Sequence, residues 1–121
     1  MGDGRLRGQS AFTHVAYDDF RVVRDNLNGG NRTTRDRLIP FGMFTDPELA
    51  RVGLNESEAK RRGIAYRLAK MPMATVLRAV TLGETRGFLK MLVDAGSDRI
   101  VEFTAFGAEA GEMMAVVQTA M

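Results

Sequence analysis

Residues 39–54, I-P-F-G-M-F-T-D-P-E-L-A-R-V-G-L, constrain the fold more than any other stretch of this chain. Apolar residues occupy alternate positions on both sides of T-D-P-E, which places them on one face of a strand. These residues are Ile39, Phe41 and Met43 before the corner, and Ala50, Val52 and Leu54 after it. In the corner, an oxygen of Thr45 or Asp46 is expected to accept a backbone N–H, and Pro47 favours a first helical turn. The segment therefore predicts two half-buried strands around a tight connection.

Three further segments carry strand patterns, at residues 64–71, 87–93 and 99–106. The last two flank the polar sequence D-A-G-S-D and predict a β-hairpin. Lys90 and Glu102 interrupt its apolar strands, so we expect both at the solvent face or at a subunit boundary. The run Met91–Leu92–Val93 is more apolar than one buried face requires, which indicates that both faces of this strand are covered.

Helical periodicity predicts helices at residues 13–27, with Thr13 as N-cap, and at residues 109–121. A short helix is expected to start at Asn55, because the side chains of Asn55 and Glu58 can cap each other's backbone N–H. Residues 73–86 fit either a helical turn or an irregular crossover. Their apolar positions are expected to face a core: Val76, Leu77, Val80 and Leu82. The whole pattern predicts an α+β fold, with an antiparallel sheet of about five strands flanked by helices and an additional N-terminal helix.

Composition excludes several classes of function. The chain has no cysteine, so it forms no disulfide, thiolate metal site or cysteine nucleophile. No apolar run approaches the ~20 residues of a membrane span, and the start at Met1 lacks a signal peptide's apolar core. We therefore expect no membrane contact and a cytoplasmic location. The net charge is +2 with arginines spread along the chain, and the glycine-flanked Arg5 and Arg7 are too few for a nucleic-acid-binding tail.

Two candidate catalytic features of the first helix have simpler interpretations. His14 is the only histidine, and no spacing fixes a carboxylate or cysteine beside it, so we interpret it as an exposed first-turn residue. Asp18 and Asp19 are neighbours in sequence and would point about 100° apart on a helix, so we expect them to be solvated rather than to act as a carboxylate pair.

Four sequence blocks carry a resemblance to a known family. The block F-T-D-P-E-L-A-R-V-G-L, from Phe44, resembles the opening of the C-terminal dimerisation domain of the FAD-dependent pyridine nucleotide-disulfide oxidoreductases, which include glutathione reductase, dihydrolipoamide dehydrogenase and mercuric reductase. The block F-T-H-V-A-Y-D-D-F-R-V-V-R-D-N-L, from Phe12, is similar to the mercuric-reductase-like branch. The blocks T-L-G-E-T-R-G-F and F-G-A-E-A-G-E follow in the family's order, from Thr81 and Phe106.

The resemblance implies a domain boundary near Leu38. Residues 1–37 would be the tail of the FAD domain, and residues 38–121 would be the dimerisation domain, ending before its His-Pro motif. Residues that would lie near FAD in an intact enzyme are Gly2, Asp3, Thr13 and His14. A full-length relative would use FAD and NAD(P)H, but this chain has no G-x-G-x-x-G turn to hold either cofactor.

We therefore expect the isolated chain to have no cofactor, no metal, no catalytic residue and no activity. The resemblance also implies a homodimer, with no nucleic acid as partner. The predicted interface residues come from the strand and helix near the C-terminus: Phe103, Phe106, Met113, Met114, Val117 and Met121. The alternative function is a residual FAD-binding module of the same enzyme family.

Overall fold

The computed structural model describes residues 12–35 and 37–121. The chain divides into two compact units after Arg37, and each is treated by itself below. Gly2 and Asp3, predicted to lie near FAD, fall outside the described residues. The assignment of the first unit to an FAD domain stays a prediction.

The first unit contains helix α1, Thr13–Leu27, over the range that its periodicity predicts. Thr13 is not the N-cap, as predicted, but the first helical residue. The cap position is Phe12, whose carbonyl accepts hydrogen bonds from the backbone N–H of Val15 and Ala16. The helix ends at Leu27. The next residue, Asn28, is the C-cap, and its side-chain amide donates to the carbonyl of Arg24 at 2.8 Å.

The second unit is built on one five-stranded sheet, and every pair of neighbouring strands is antiparallel. Its strands in chain order are β1 Phe41–Met43, β2 Leu49–Gly53, β3 Tyr66–Pro72, β4 Phe88–Asp94 and β5 Ile100–Phe106. Their spatial order is β1-β2-β5-β4-β3, so the predicted hairpin β4–β5 is paired at the centre of the sheet. The predicted α+β fold class is confirmed.

Helices cover the sheet from both sides. Helix α4, Ala110–Thr119, packs on the face that carries Ala50, Phe103 and Ala105. Helix α2, Glu56–Arg61, packs on the opposite face, where its Ala59 contacts the fully buried Leu92. The predicted covering of both faces of β4 is confirmed, because Leu92 lies under α2 while its neighbour Met91 packs on the α4 side.

The capping pair of α2 is present as predicted. The backbone N–H of Glu58 donates to Asn55 Oδ1 at 2.8 Å, and the backbone N–H of Asn55 donates to Glu58 Oε2 at 2.8 Å. Two otherwise unpaired N–H groups are thereby satisfied at the start of the helix. Arg51 Nη2 also donates to Glu58 Oε2, at 3.0 Å, so the cap ties α2 to strand β2.

The predicted tight connection between β1 and β2 is confirmed, but the hydrogen bond expected in its corner is not. The hydroxyl of Thr45 donates to the carbonyl of Pro47 at 2.7 Å instead of accepting a backbone N–H. Met43 pairs with Leu49, so residues 44–48 alone connect the two strands.

The segment between β3 and β4 forms a 3-10 turn, Met73–Thr75, and a short helix α3, Leu77–Leu82. The prediction that its apolar residues face a core is wrong for Leu77, Val80 and Leu82, which are exposed. The buried residues are Met73 and Ala79. Gly83 ends α3 in the left-handed conformation, with φ +73°, which glycine adopts without a steric penalty.

Candidate functional site

A cluster of charged side chains lies on the α2 face of the sheet around Glu102. Glu102 is 0% exposed, which corrects the expectation that it faces solvent. Its Oε1 accepts a hydrogen bond from the hydroxyl of Thr104 and lies 3.8 Å from both Arg51 Nε and Lys90 Nζ. Antiparallel register explains the convergence, since Arg51 pairs with Thr104 and Lys90 pairs with Thr104 from the other side.

Helix α2 supplies the outer carboxylates of this cluster. Glu56 Oε1 lies 3.3 Å from Lys90 Nζ, and Glu58 Oε2 lies 3.0 Å from Arg51 Nη2. Each cation is therefore shared between buried Glu102 and one carboxylate of α2. The other oxygen of Glu102, Oε2, is buried and has no hydrogen-bond partner among residues 12–35 and 37–121.

The pKa values of the carboxyl groups in the cluster are shifted in opposite directions. Burial raises the pKa of Glu102, although the hydrogen bond from Thr104 and the charges of Lys90 and Arg51 act against that rise. The hydrogen bond and charge of Lys90 lower the pKa of Glu56. The hydrogen bond from the backbone of Asn55 lowers the pKa of Glu58. The cluster thus links α2 to three strands and contains one buried carboxyl whose pKa is raised.

The six predicted interface residues lie near the sheet and α4. Phe103 is buried in the core cluster under α4, and Phe106 is half-buried at the end of β5, beside the ring of Phe88. The half-buried residues that pack against the same core cluster are Met113, Met114, Val117 and Met121. The apolar stripe of α4 therefore serves first to attach the helix to its own sheet. Its contact with a second chain stays a prediction.

Other apolar side chains of the second unit are left uncovered by the described residues. Val116 on α4 is 73% exposed, and Leu77 on α3 is 80% exposed. Single exposed apolar side chains are common on protein surfaces, so these two do not by themselves define a binding site.

In the first unit, Thr13 and His14 are both exposed at the start of α1. The ring of His14 stacks on that of Phe12, with centroids 5.5 Å apart. This position at a helix start agrees with an exposed first-turn histidine, and the proposed proximity of Thr13 and His14 to a flavin stays a prediction.

Asp18 and Asp19 are not simply solvated, as the sequence suggested. Arg37 Nη1 lies 3.0 Å from Asp18 Oδ2 and 2.7 Å from Asp19 Oδ1. The hydrogen bonds to Asp19 and Asp18 raise the pKa of Arg37. The two carboxylates act as a clamp that holds the end of this unit to α1.

Helix α1 carries a stripe of apolar side chains that is mostly exposed. Phe20, Val23 and Leu27 are all exposed, and Val15 is the buried residue of the helix. An amphipathic helix gains its stability by burying such a stripe. The exposed stripe indicates a helix that packs against further protein.

The described residues contain neither a metal-binding group nor a membrane-spanning helix. Within residues 12–35 and 37–121, no three acidic, histidine or cysteine side chains come together in a group that could hold a metal ion. In the same ranges, every helix is too short or too polar to cross a membrane.

Comparison with known proteins identifies the second unit. A family model described as "Pyridine nucleotide-disulphide oxidoreductase, dimerisation domain" matches residues 39–121. The chain belongs to this family. The family that the four sequence blocks indicated is thereby confirmed, and residues 39–121 are a dimerisation domain of flavoprotein disulfide reductases.

Two relatives are similar to this chain over nearly its whole length. "Probable pyridine nucleotide-disulfide oxidoreductase RclA" of Escherichia coli (strain K12) is 37% identical over 100% of this chain and 27% of its own length. Mercuric reductase of Shigella flexneri is 35% identical over 97% of this chain and 20% of its own length. The chain thus spans about a quarter or less of the curated relatives it matches.

A solved structure supports the same fold. "HOCl-induced flavoprotein disulfide reductase RclA from Escherichia coli" superposes with a TM-score of 0.84 at 36% identity, covering 94% of this chain and 27% of that one. The similarity extends beyond the sheet, because 94% of the chain includes part of the first unit as well as the dimerisation domain.

Sequence reasoning missed the cluster around Glu102. Its only signal was the interruption of two apolar strands by Lys90 and Glu102, a pattern that also fits solvent exposure. The register of β4 and β5 would have placed these residues on one face, but their covering by α2 depends on the path of the chain after β2.

Proposed function

We propose that this chain is the subunit-pairing part of a FAD-dependent, NAD(P)H-oxidising disulfide reductase of the mercuric-reductase-like branch, and that it forms a homodimer. The observation that carries the proposal is the match of residues 39–121 to a dimerisation domain. Similarity to the E. coli oxidoreductase over the whole chain supports the assignment of residues 1–37 to the end of an FAD domain.

Pairing of subunits would be the contribution of this chain to catalysis. In an intact enzyme of the family, it would set the C-terminal acid/base of one subunit against the flavin-side disulfide of the other. The predicted interface residues on β5 and α4 belong to this proposal. Since Met113, Met114 and Val117 pack on the sheet of their own chain, the exposed Val116 is the side chain of α4 best placed to reach a second copy.

FAD contact through Gly2, Asp3, Thr13 and His14 is proposed only for the intact enzyme. The exposed apolar stripe of α1 supports this proposal, because the last helix of an FAD domain would pack such a stripe against the rest of that domain. The isolated chain would bind no FAD. Cofactor binding needs about 10 kcal/mol of affinity, and this chain has no pyrophosphate-binding turn to provide it. Purified protein that retains flavin absorbance after desalting would support the alternative, a residual FAD-binding module.

A cytoplasmic location and a role in redox homeostasis belong to the same proposal. The role in redox homeostasis is supported by the solved E. coli relative, which is HOCl-induced. Fractionation of cells with an antibody to this chain tests the location. Loss of growth in hypochlorous acid on deletion of the encoding gene tests the role.

Sedimentation velocity of the 121-residue chain tests the homodimer directly. We expect a dimer at tens of micromolar, and a monomer throughout that range would contradict the proposal. Val116→Asp should shift the protein toward monomer without changing its circular dichroism spectrum, because a charge would be placed in the contact.

A further inference from the structure

The loop that follows helix α1 begins with the dipeptide Asn28–Gly29, a pair prone to loss of the asparagine side-chain amide. In this reaction the backbone nitrogen of the following residue attacks Cγ of the asparagine. Glycine favours the attack because it has no Cβ to hinder its nitrogen. Both residues are exposed, so water and hydroxide reach them.

The backbone around this dipeptide forms a Schellman motif that ends α1. The N–H of Gly29 donates to the carbonyl of Asn26 at 3.1 Å, and the N–H of Gly30 donates to the carbonyl of Asp25 at 2.9 Å. Gly29 has a φ of +86°, the left-handed conformation that this motif requires. The nitrogen that would attack Asn28 is therefore engaged in a hydrogen bond.

The side chain of Asn28 is also held away from the reaction. Its Nδ2 donates to the carbonyl of Arg24 at 2.8 Å, which directs the amide back along the helix. Ring closure requires Asn28 to rotate away from its observed ψ of 18°, so that the nitrogen of Gly29 can reach Cγ. The closed loop thus opposes the reaction that its sequence favours.

One side chain keeps the loop closed. Asn26 Nδ2 donates to the carbonyl of Arg32 at 3.0 Å, and the N–H of Arg32 donates to Asn26 Oδ1 at 2.8 Å. These two bonds join the last turn of α1 to the far end of loop 28–31. Because both residues are exposed, this closure belongs to the part of a fold that opens readily by local fluctuation.

We propose that Asn28 is a deamidation site whose rate is set by opening of loop 28–31, and that Asn26 is the side chain that holds this loop closed. On opening, the nitrogen of Gly29 gives its proton to a solvent base and forms a bond to Cγ of Asn28. The side-chain nitrogen leaves as ammonia, and a cyclic succinimide remains. Water then opens the ring at either carbonyl and gives aspartate or isoaspartate. Water is the only co-reactant.

The product weakens the end of α1. A carboxylate at position 28 cannot donate to the carbonyl of Arg24, and its charge lies at the negative end of the helix dipole. Isoaspartate also inserts an extra carbon into the main chain, which breaks the spacing of the Schellman motif. The modification therefore loosens the last turn of α1 and the loop that precedes the second unit.

Peptide mapping of the 121-residue chain after incubation in mildly alkaline buffer tests the site. Trypsin releases residues 25–32 as one peptide, and its fragmentation separates conversion at Asn26, Asn28 and Asn31. We expect conversion at Asn28 in the folded chain to be at least about 10-fold slower than in a synthetic peptide of residues 25–32, because the hydrogen bonds of the loop must first break.

Substitution of Asn26 tests the closure. Asn26→Ala should speed conversion of Asn28 about 10-fold, because the two hydrogen bonds to Arg32 are lost. The matched control is Asn55→Ala, which removes an asparagine from the cap of α2 in the other unit and should leave the rate at Asn28 unchanged. Circular dichroism checks that each variant is folded. If Asn26→Ala does not fold, Asn26→Asp decides: it keeps an acceptor for the N–H of Arg32, and its rate should lie between those of wild type and the peptide.

The rates separate the outcomes. Slow conversion at Asn28 in wild type, with faster conversion in Asn26→Ala alone, supports the proposal. Equal rates in wild type and folded Asn26→Ala overturn the role of Asn26. Conversion in folded wild type as fast as in the peptide overturns control by the loop. Unmodified Asn28 in both proteins after the peptide has reacted completely overturns the site itself.

Discussion

Glu102→Gln should change the pH dependence of stability more than any other single substitution in the charged cluster. Glu102 is fully buried, and one of its oxygens, Oε2, has no hydrogen-bond partner among the described residues. Glutamine has the same shape and keeps an oxygen that can accept the hydrogen bond from Thr104. The substitution therefore removes the buried charge while leaving the packing in place.

The direction follows from the pKa of Glu102, which burial raises. A carboxyl with a higher pKa in the folded state adds stability below its unfolded-state pKa and loses that contribution as the pH rises through the folded-state value. An unmet buried polar group costs about 1–3 kcal/mol, and one pKa unit corresponds to about 1.36 kcal/mol. As the pH rises from the unfolded-state pKa of Glu102 through its folded-state pKa, the free energy of unfolding of Glu102→Gln minus that of wild type should therefore rise. The expected size is on the order of the 1–3 kcal/mol that an unmet buried polar group costs.

Urea unfolding at a series of pH values, at one fixed protein concentration, measures this difference. Glu56→Gln is the control on the same cluster, because Lys90 lowers the pKa of Glu56. The free energy of unfolding of that variant relative to wild type should fall as the pH rises. A Glu102→Gln difference that stays constant or falls with pH would refute the reasoning, because the charges of Arg51 and Lys90 would then outweigh burial.

Three further substitutions test the packing of the second unit. Leu92→Ala should lower the free energy of unfolding by about 2–5 kcal/mol, because a fully buried leucine leaves a cavity under α2; a loss below about 1 kcal/mol in chemical denaturation would contradict this. Asn55→Ala should cost about 1 kcal/mol by removing the helix cap, and a double-mutant cycle with Glu58→Ala should show coupling between the two side chains. Gly87→Ala should destabilise by more than about 1 kcal/mol, since φ is +106° there and a Cβ would meet the carbonyl of Phe106; an unchanged melting temperature would argue against that conformation.

Local signals in the sequence were sufficient for most of the fold. The D-A-G-S-D turn predicted the β4–β5 hairpin, and Asn55 with Glu58 predicted the start of α2, because both features depend on residues close together in the chain. The alternation around T-D-P-E predicted the pairing of β1 and β2 in the same way. The four family blocks predicted the dimerisation domain, which the family match confirmed.

The tertiary structure alone decided which side of each element is covered. The periodicity of 73–86 could not tell that Ala79 faces inward and Leu77 outward, because a helix as short as α3 carries too few positions to define a buried stripe. The sequence pattern of Glu102 fits a solvent-facing residue, but in the structure α2 covers its face of the sheet. Sequence patterns record the spacing of apolar residues, whereas burial is set by the elements that pack on them from distant parts of the chain.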